Sequence, residues 1–89
     1  MKGIITIIGK DRVGIISQVS TLLANNNVNI LDINQTVMRE YFTMIMLVDF
    51  EQMTSDFVSL QKDLDTKAKE INMDIRMQRE DIFDKMYEI

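Results

Sequence analysis

The chain has 89 residues, 46% hydrophobic and 27% charged, with a formal net charge of −4 and a pI near 4.6. That length bounds it to one domain with a small core, and an acidic chain without a basic run excludes a phosphate-binding, nucleic-acid surface. Zero His and zero Cys remove the commonest general base, the thiol nucleophile and the usual zinc ligands, so no metal, cofactor or enzymatic activity is expected.

Lys2 to Ile8 is rich in β-branched residues and ends at Gly9, the pattern of a short strand. Ile4, Thr6 and Ile8 face one way and Ile5 and Ile7 the other, which predicts a central strand buried on both faces. Ile15, Ile16, Val19, Leu22 and Leu23 then recur at helical spacing, with Ser17, Gln18, Ser20 and Thr21 opposite. The helix should stop at Asn25-Asn26-Asn27, since asparagine tolerates the left-handed conformation that closes a helix.

Val28 to Met38 returns to strand character, with Leu31, Ile33 and Val37 on one face and Asp32, Asn34 and Thr36 on the other, as an edge strand requires. Arg39-Glu40 reads as a hairpin tip, followed by Phe42 to Phe50, apolar on both faces and therefore the second central strand. A second helix carries Phe57, Leu60, Leu64, Ala68 and Ile71, with Thr54 or Ser55 as its N-cap. In the last strand Met73, Ile75 and Met77 alternate with Asn72, Asp74, Arg76 and Gln78, so one face is wet.

The order βαββαβ is the ferredoxin-like split motif. Right-handed crossovers put both helices on one face of a four-stranded antiparallel sheet, in the order 4-1-3-2. This α+β domain should span residues 1–80, with residues 81–89 as a short helical tail marked by Ile82, Phe83, Met86 and Ile89. The sheet face opposite the helices would then expose apolar side chains from strands 1 and 3. Either the tail or a second copy of the chain should cover it, and a homodimer is expected. Met38, Met44, Met46, Met73, Met77 and Met86 suit a core or a dimer interface.

No apolar run is long enough to span a bilayer, and the N-terminus lacks a signal-peptide pattern, so a cytoplasmic location without a membrane partner is expected. Glu80, Asp81, Asp84 and Glu88 lack the spacing of a calcium loop and read as a solvated face.

The stretch "GKDRVGI", residues 9–15, is neither a Walker loop nor a dinucleotide fingerprint, because Gly14 is followed by Ile15-Ile16. It nevertheless delivers free amides to a helix N-terminus, which favours a small anion such as a carboxylate. Gly14 leaves room for approach, Asp11 can cap the helix or accept from an ammonium group, and Asn29 can donate or accept. Lys10 and Arg12 can steer an anion or serve solubility. A purely structural alternative stays open: Asp11 as N-cap, Gly14 for close packing of helix on sheet, and Asn29 in a turn.

The loop pattern Gly-x-Asp-Arg-x-Gly-Ile, the amphipathic helix after it, and "NNNVNILDINQTV" with its Asn-Ile pair resemble the ACT domain, a small-molecule-binding regulatory module. The resemblance covers residues 2–80; "YFTMIMLVDF" and "IFDKMYEI" are similar to stand-alone bacterial members related to the glycine-cleavage-system repressor. It implies an amino acid or similar small carboxylate held by Asp11, Arg12, Gly14, Ile15, Asn29 and Ile30, with Asn29 supplied by a partner chain in dimeric members. Gly9 stands where some serine-binding members have histidine, and Val13 where many have proline. The expected function is a non-enzymatic, homodimeric sensor; the alternative is a ligand-free protein–protein interaction module acting on a metabolic enzyme or regulator.

Overall fold

The computed structural model describes residues 1–86. Its elements run β1 (Lys2–Lys10), α1 (Ile15–Asn25), β2 (Asn29–Met38), β3 (Tyr41–Asp49), α2 (Phe57–Ile71), β4 (Asp74–Arg79) and α3 (Glu80–Met86). The strands form one antiparallel sheet ordered β2-β3-β1-β4, which is the expected 4-1-3-2 read from the other edge.

The core lies between the sheet and the two long helices. Ile5 and Ile7 of β1 and Met44, Met46 and Val48 of β3 are fully buried against Val19 and Leu23 of α1 and Leu60 and Leu64 of α2. Each such side chain contributes about 2 kcal/mol of transfer free energy, so the interleaved stripes hold the two layers together. Four methionines, Met44, Met46, Met73 and Met77, fill this core, whereas Met38 is exposed on β2. No polar or charged residue is buried among the described residues.

Several expectations are corrected by the packing. The outward sides of β1 and β3 are not buried within the chain: Ile8 is 47% and Ile45 44% exposed, and Ile4 and Leu47 are half-buried. Strand β2 does not alternate evenly, because its register shifts between Ile30 and Asp32. This bulge takes in Leu31 and leaves Ile30 and Ile33, three residues apart, opposite the buried Val48 and Met46. The α2 N-cap is neither Thr54 nor Ser55 but Asp56, whose carboxylate accepts from the Ser59 amide at 2.7 Å. Thr54 and Ser55 are held by Asn26 instead: the Thr54 amide donates to its carbonyl at 3.0 Å and the Ser55 hydroxyl to its side-chain oxygen at 2.8 Å.

At the C-terminus, α3 begins at Glu80 and adjoins only β1 and β4, leaving Ile8 and Ile45 exposed. Ile82 is 47% exposed. The side chains of Phe83 and Met86, and the whole of Ile89, lie outside the described residues.

Candidate functional site

The β1–α1 loop is held at two points. The Asp11 amide donates to the Glu40 carbonyl at 2.7 Å, tying the loop to the β2–β3 hairpin tip. Arg12 Nη1 donates to the Ile71 carbonyl at 2.9 Å, at the last residue of α2. A cation there also meets the negative end of the helix dipole, so Arg12 has a structural task that neither steering nor solubility anticipates.

Helix α1 opens differently from the alternative in which Asp11 caps it. Its N-cap is Gly14, at φ 91° and ψ 2°, and no side chain caps the helix. The Gln18 amide reaches the Gly14 carbonyl at 3.0 Å and starts the intrahelical ladder. The amides of Ile15, Ile16 and Ser17 therefore form the unpaired first turn. The space beside Gly14 is open, since a Cβ there would meet only Gln18 Nε2 at 3.6 Å. Glycine is required by the left-handed backbone, not by close packing of helix on sheet.

These amides border a cleft of about 740 Å³. The loop residues Asp11, Arg12 and Gly14 and the start of α1 form one wall, and Gln35, Val37 and Phe42 form the sheet wall. The cleft thus gathers a carboxylate, a guanidinium and a helix N-terminus over an apolar floor, a combination able to hold a small zwitterion. Gln35 and Val37 are site residues that sequence reasoning missed. Register with β3 is the signal that finds them, because Val37 pairs with Phe42, which in turn pairs with Gly9 at the loop's entrance.

Four of the six expected residues, Asp11, Arg12, Gly14 and Ile15, line this cleft. Asn29 and Ile30 do not. Asn29 pairs with Asp49 at the opposite end of the sheet, eight residues along β2 from Val37, which is about 26 Å of strand. It borders a separate recess with Asn27 and Gln52, and Ile30 packs partly against the core. Within one chain the two halves of the expected site are apart.

Gly9 has a packing reason of its own. A Cβ at this position would lie 2.5 Å from Met73 Sδ, so the backbone of β1 and the Met73 side chain occupy what a larger residue would need.

A two-layer βαββαβ domain with a cleft after β1 defines the class, and comparison with known proteins gives the family. The ACT domain family pattern matches residues 3–78, and the chain belongs to that family. ACT domains are small-molecule-binding regulatory modules. A UPF0237 protein of Clostridium acetobutylicum is 52% identical over 86 residues, 97% of each chain. An ACT domain protein from Streptococcus pneumoniae superposes with a TM-score of 0.81 at 41% identity, covering 98% of both chains. A chain assigned as a glycine cleavage system transcriptional repressor matches at a TM-score of 0.74 and 25% identity, over 88% of this chain and 44% of its own. Among the described residues no helix is long and apolar enough to cross a membrane, and no group of three or more acidic, His or Cys side chains is gathered as for a metal.

Proposed function

We propose that the protein is a homodimeric, non-enzymatic sensor whose two clefts each hold an amino acid or similar small carboxylate, with Asn29 coming from the neighbouring chain. The observation that carries this reading is the distance between Asn29 and the cleft. β2 is an edge strand, ten residues long and exposed nearly throughout, with Leu31, Ile33, Val37 and Met38 all at least 40% accessible. Such an edge is a template for pairing with another strand. Antiparallel pairing of two β2 strands about a two-fold axis near their middle sets Asn29 level with the partner's Val37, at the mouth of the partner's cleft. One operation covers the edge and completes both sites.

In this arrangement the amides at the start of α1 take the carboxylate, while Asp11 and the partner's Asn29 take the ammonium group. Gln35 and Val37 sit where a ligand meets the dimer seam, so occupancy is felt by both chains. That is the property a regulatory module needs.

Thermal unfolding against a panel of amino acids identifies the ligand, which at one hundred times its Kd adds about 2.7 kcal/mol of stability. A flat panel favours the interaction module instead. With a ligand in hand, Asp11→Ser and Asn29→Ala should each leave the unliganded melting temperature within about 2 °C of wild type and weaken binding about tenfold or more. Mixing the two variants should regenerate one intact site per heterodimer, because one chain supplies Asp11 and the other Asn29. Failure of the mixture to bind would rule out the shared site.

A further inference from the structure

One side of β2 faces the helices, and the strand register shows which residues lie on it. Residues paired directly across an antiparallel ladder point the same way. Ile30 lies opposite Val48, Ile33 opposite Met46, Gln35 opposite Met44 and Val37 opposite Phe42, and all four of those β3 residues are buried in the core. The inward row of β2 is therefore Ile30, Ile33, Gln35 and Val37, and Gln35 is its single polar member. An inward position on a strand with one wet face ordinarily carries an apolar side chain, as the other three do. Gln35 is exposed and lines the cleft beside the start of α1, and its side-chain amide makes no hydrogen bond to any described residue. Ser17, in the first turn of α1, lines the same cleft, and its hydroxyl is likewise unpaired among the described residues.

Charge is confined to the loop end of the cleft. Asp11 and Arg12 both belong to the loop, and Arg12 already donates to the Ile71 carbonyl. Between the α1 and β2 walls the lining is Ile16, Ser17, Gln35, Val37 and Phe42, with no charged group. We infer that the cleft selects an α-amino acid whose side chain ends in a carboxamide, and that Gln35 is the residue that selects it. The inference rests on the amino-acid reading given above and adds the chemistry of the ligand's side chain.

With the ligand's carboxylate at the α1 amides and its ammonium group at Asp11, its side chain runs along the cleft toward Gln35. The Gln35 amide offers both donors and an acceptor, and the Ser17 hydroxyl one donor and an acceptor. A carboxamide matches this set: it donates to the Gln35 oxygen, accepts from the Gln35 nitrogen and leaves a site for Ser17. A carboxylate of the same length has no proton for the Gln35 oxygen and brings a charge to walls that hold no counter-charge. An apolar chain of the same length fills the space but leaves the amide, shut off from water, without a partner. Reach decides the rest. Val37 is level with Phe42 and, through it, with Gly9 at the loop entrance, and Gln35 lies two residues further along β2, about 7 Å. A hydroxyl one carbon beyond Cα falls short of that, whereas a glutamine side chain spans it.

Titration calorimetry of the full chain with glutamine, asparagine, glutamate, methionine and serine tests the assignment. Glutamine should bind the wild type about tenfold more tightly than glutamate, methionine or serine, with asparagine between. Gln35→Leu should melt within about 2 °C of wild type without ligand, lose about tenfold in affinity for glutamine and gain affinity for methionine, which reverses their order. A purely structural role for Gln35 would not produce that reversal. Ser17→Ala should weaken glutamine about threefold and leave methionine unchanged. Asp11→Ser should instead weaken both ligands alike, because it meets the ammonium group that both carry. If the wild type binds methionine or glutamate as well as glutamine, or if Gln35→Leu keeps the wild-type order, the role of Gln35 is overturned while the amino-acid site stands. If glutamine does not bind at all, the carboxamide assignment is overturned, and the wider amino-acid panel described above decides whether the amino-acid reading falls with it.

Discussion

The two βαβ halves each deliver a helix N-terminus at the end of a central strand, and the two are built in opposite ways. Before α2, Asp56 caps the Ser59 amide, and the preceding loop is tied to the α1–β2 turn by Asn26 and by Asn27, whose side chain donates to the Gln52 carbonyl at 2.7 Å. Before α1 the cap is a left-handed glycine, and among the described residues no side chain turns back on the amides and the loop is fastened only at Asp11 and Arg12. One terminus is closed by its own chain. The other faces a cleft with its donors unpaired, and that difference separates the half that supports the sheet from the half proposed above to receive a ligand.

The largest test of this contrast is Gly14→Val. A β-branched residue at φ 91° is strained whatever space surrounds it, so a loss of about 2 kcal/mol and a melting temperature lower by about 10 °C are expected. Gly14→Asn should lose much less, because asparagine tolerates the left-handed region. If both variants melt alike, the conformation is not what the position requires.

Arg12→Ala comes next. Removing a charge-assisted bond to the last carbonyl of α2 should cost about 1 kcal/mol, and Arg12→Lys should recover only part of it, since lysine lacks the planar fork. Hydrogen exchange at the α2–β4 turn should quicken in Arg12→Ala; unchanged exchange there would show that the loop is fastened by Asp11 alone.

The smallest effect belongs to the closed terminus. The bonds to Ser59, with a weaker contribution from Lys62, hold the Asp56 carboxyl below its ordinary value of 3.8. A lowered folded-state pKa means that the cap stabilises fully above the unfolded carboxylate range, and that its contribution is lost as pH falls through the folded value. Asp56→Asn should therefore melt near wild type at neutral pH and lack this acid-limb contribution, whereas Asp56→Ala should melt lower throughout. Equal acid limbs in wild type and Asp56→Asn would show that the cap is not ionic.

The fold was legible in the chain because its strongest signals are periodic. Two-sided apolarity placed β1 and β3 in the centre, and the stripe through Val19, Leu23, Leu60 and Leu64 named the helix faces that are fully buried. What escaped were features set by a few bonds. Thr54, Ser55 and Asp56 are all capping residues, and the choice fell to Asp56 while Thr54 and Ser55 engage Asn26, a contact 29 residues distant for Ser55. The bulge at Leu31 leaves no mark in composition. Asp11 and Asn29 were each picked out by chemistry, but that they lie at opposite ends of the sheet follows only from register, as does the place of Gln35 and Val37 in the cleft wall.

Gly9 and Met73 also constrain how this site can change over evolutionary time. Because the end of the Met73 side chain fills the space beside Gly9, a larger side chain at position 9 requires Met73 to turn aside, which its unbranched, flexible chain allows. Moving Met73 empties part of the core that it fills, and cutting it back to alanine would open a cavity at a cost of about 2 to 5 kcal/mol. The two positions are epistatic. A change at the loop entrance is thus decided in part just before β4, where Met73 lies.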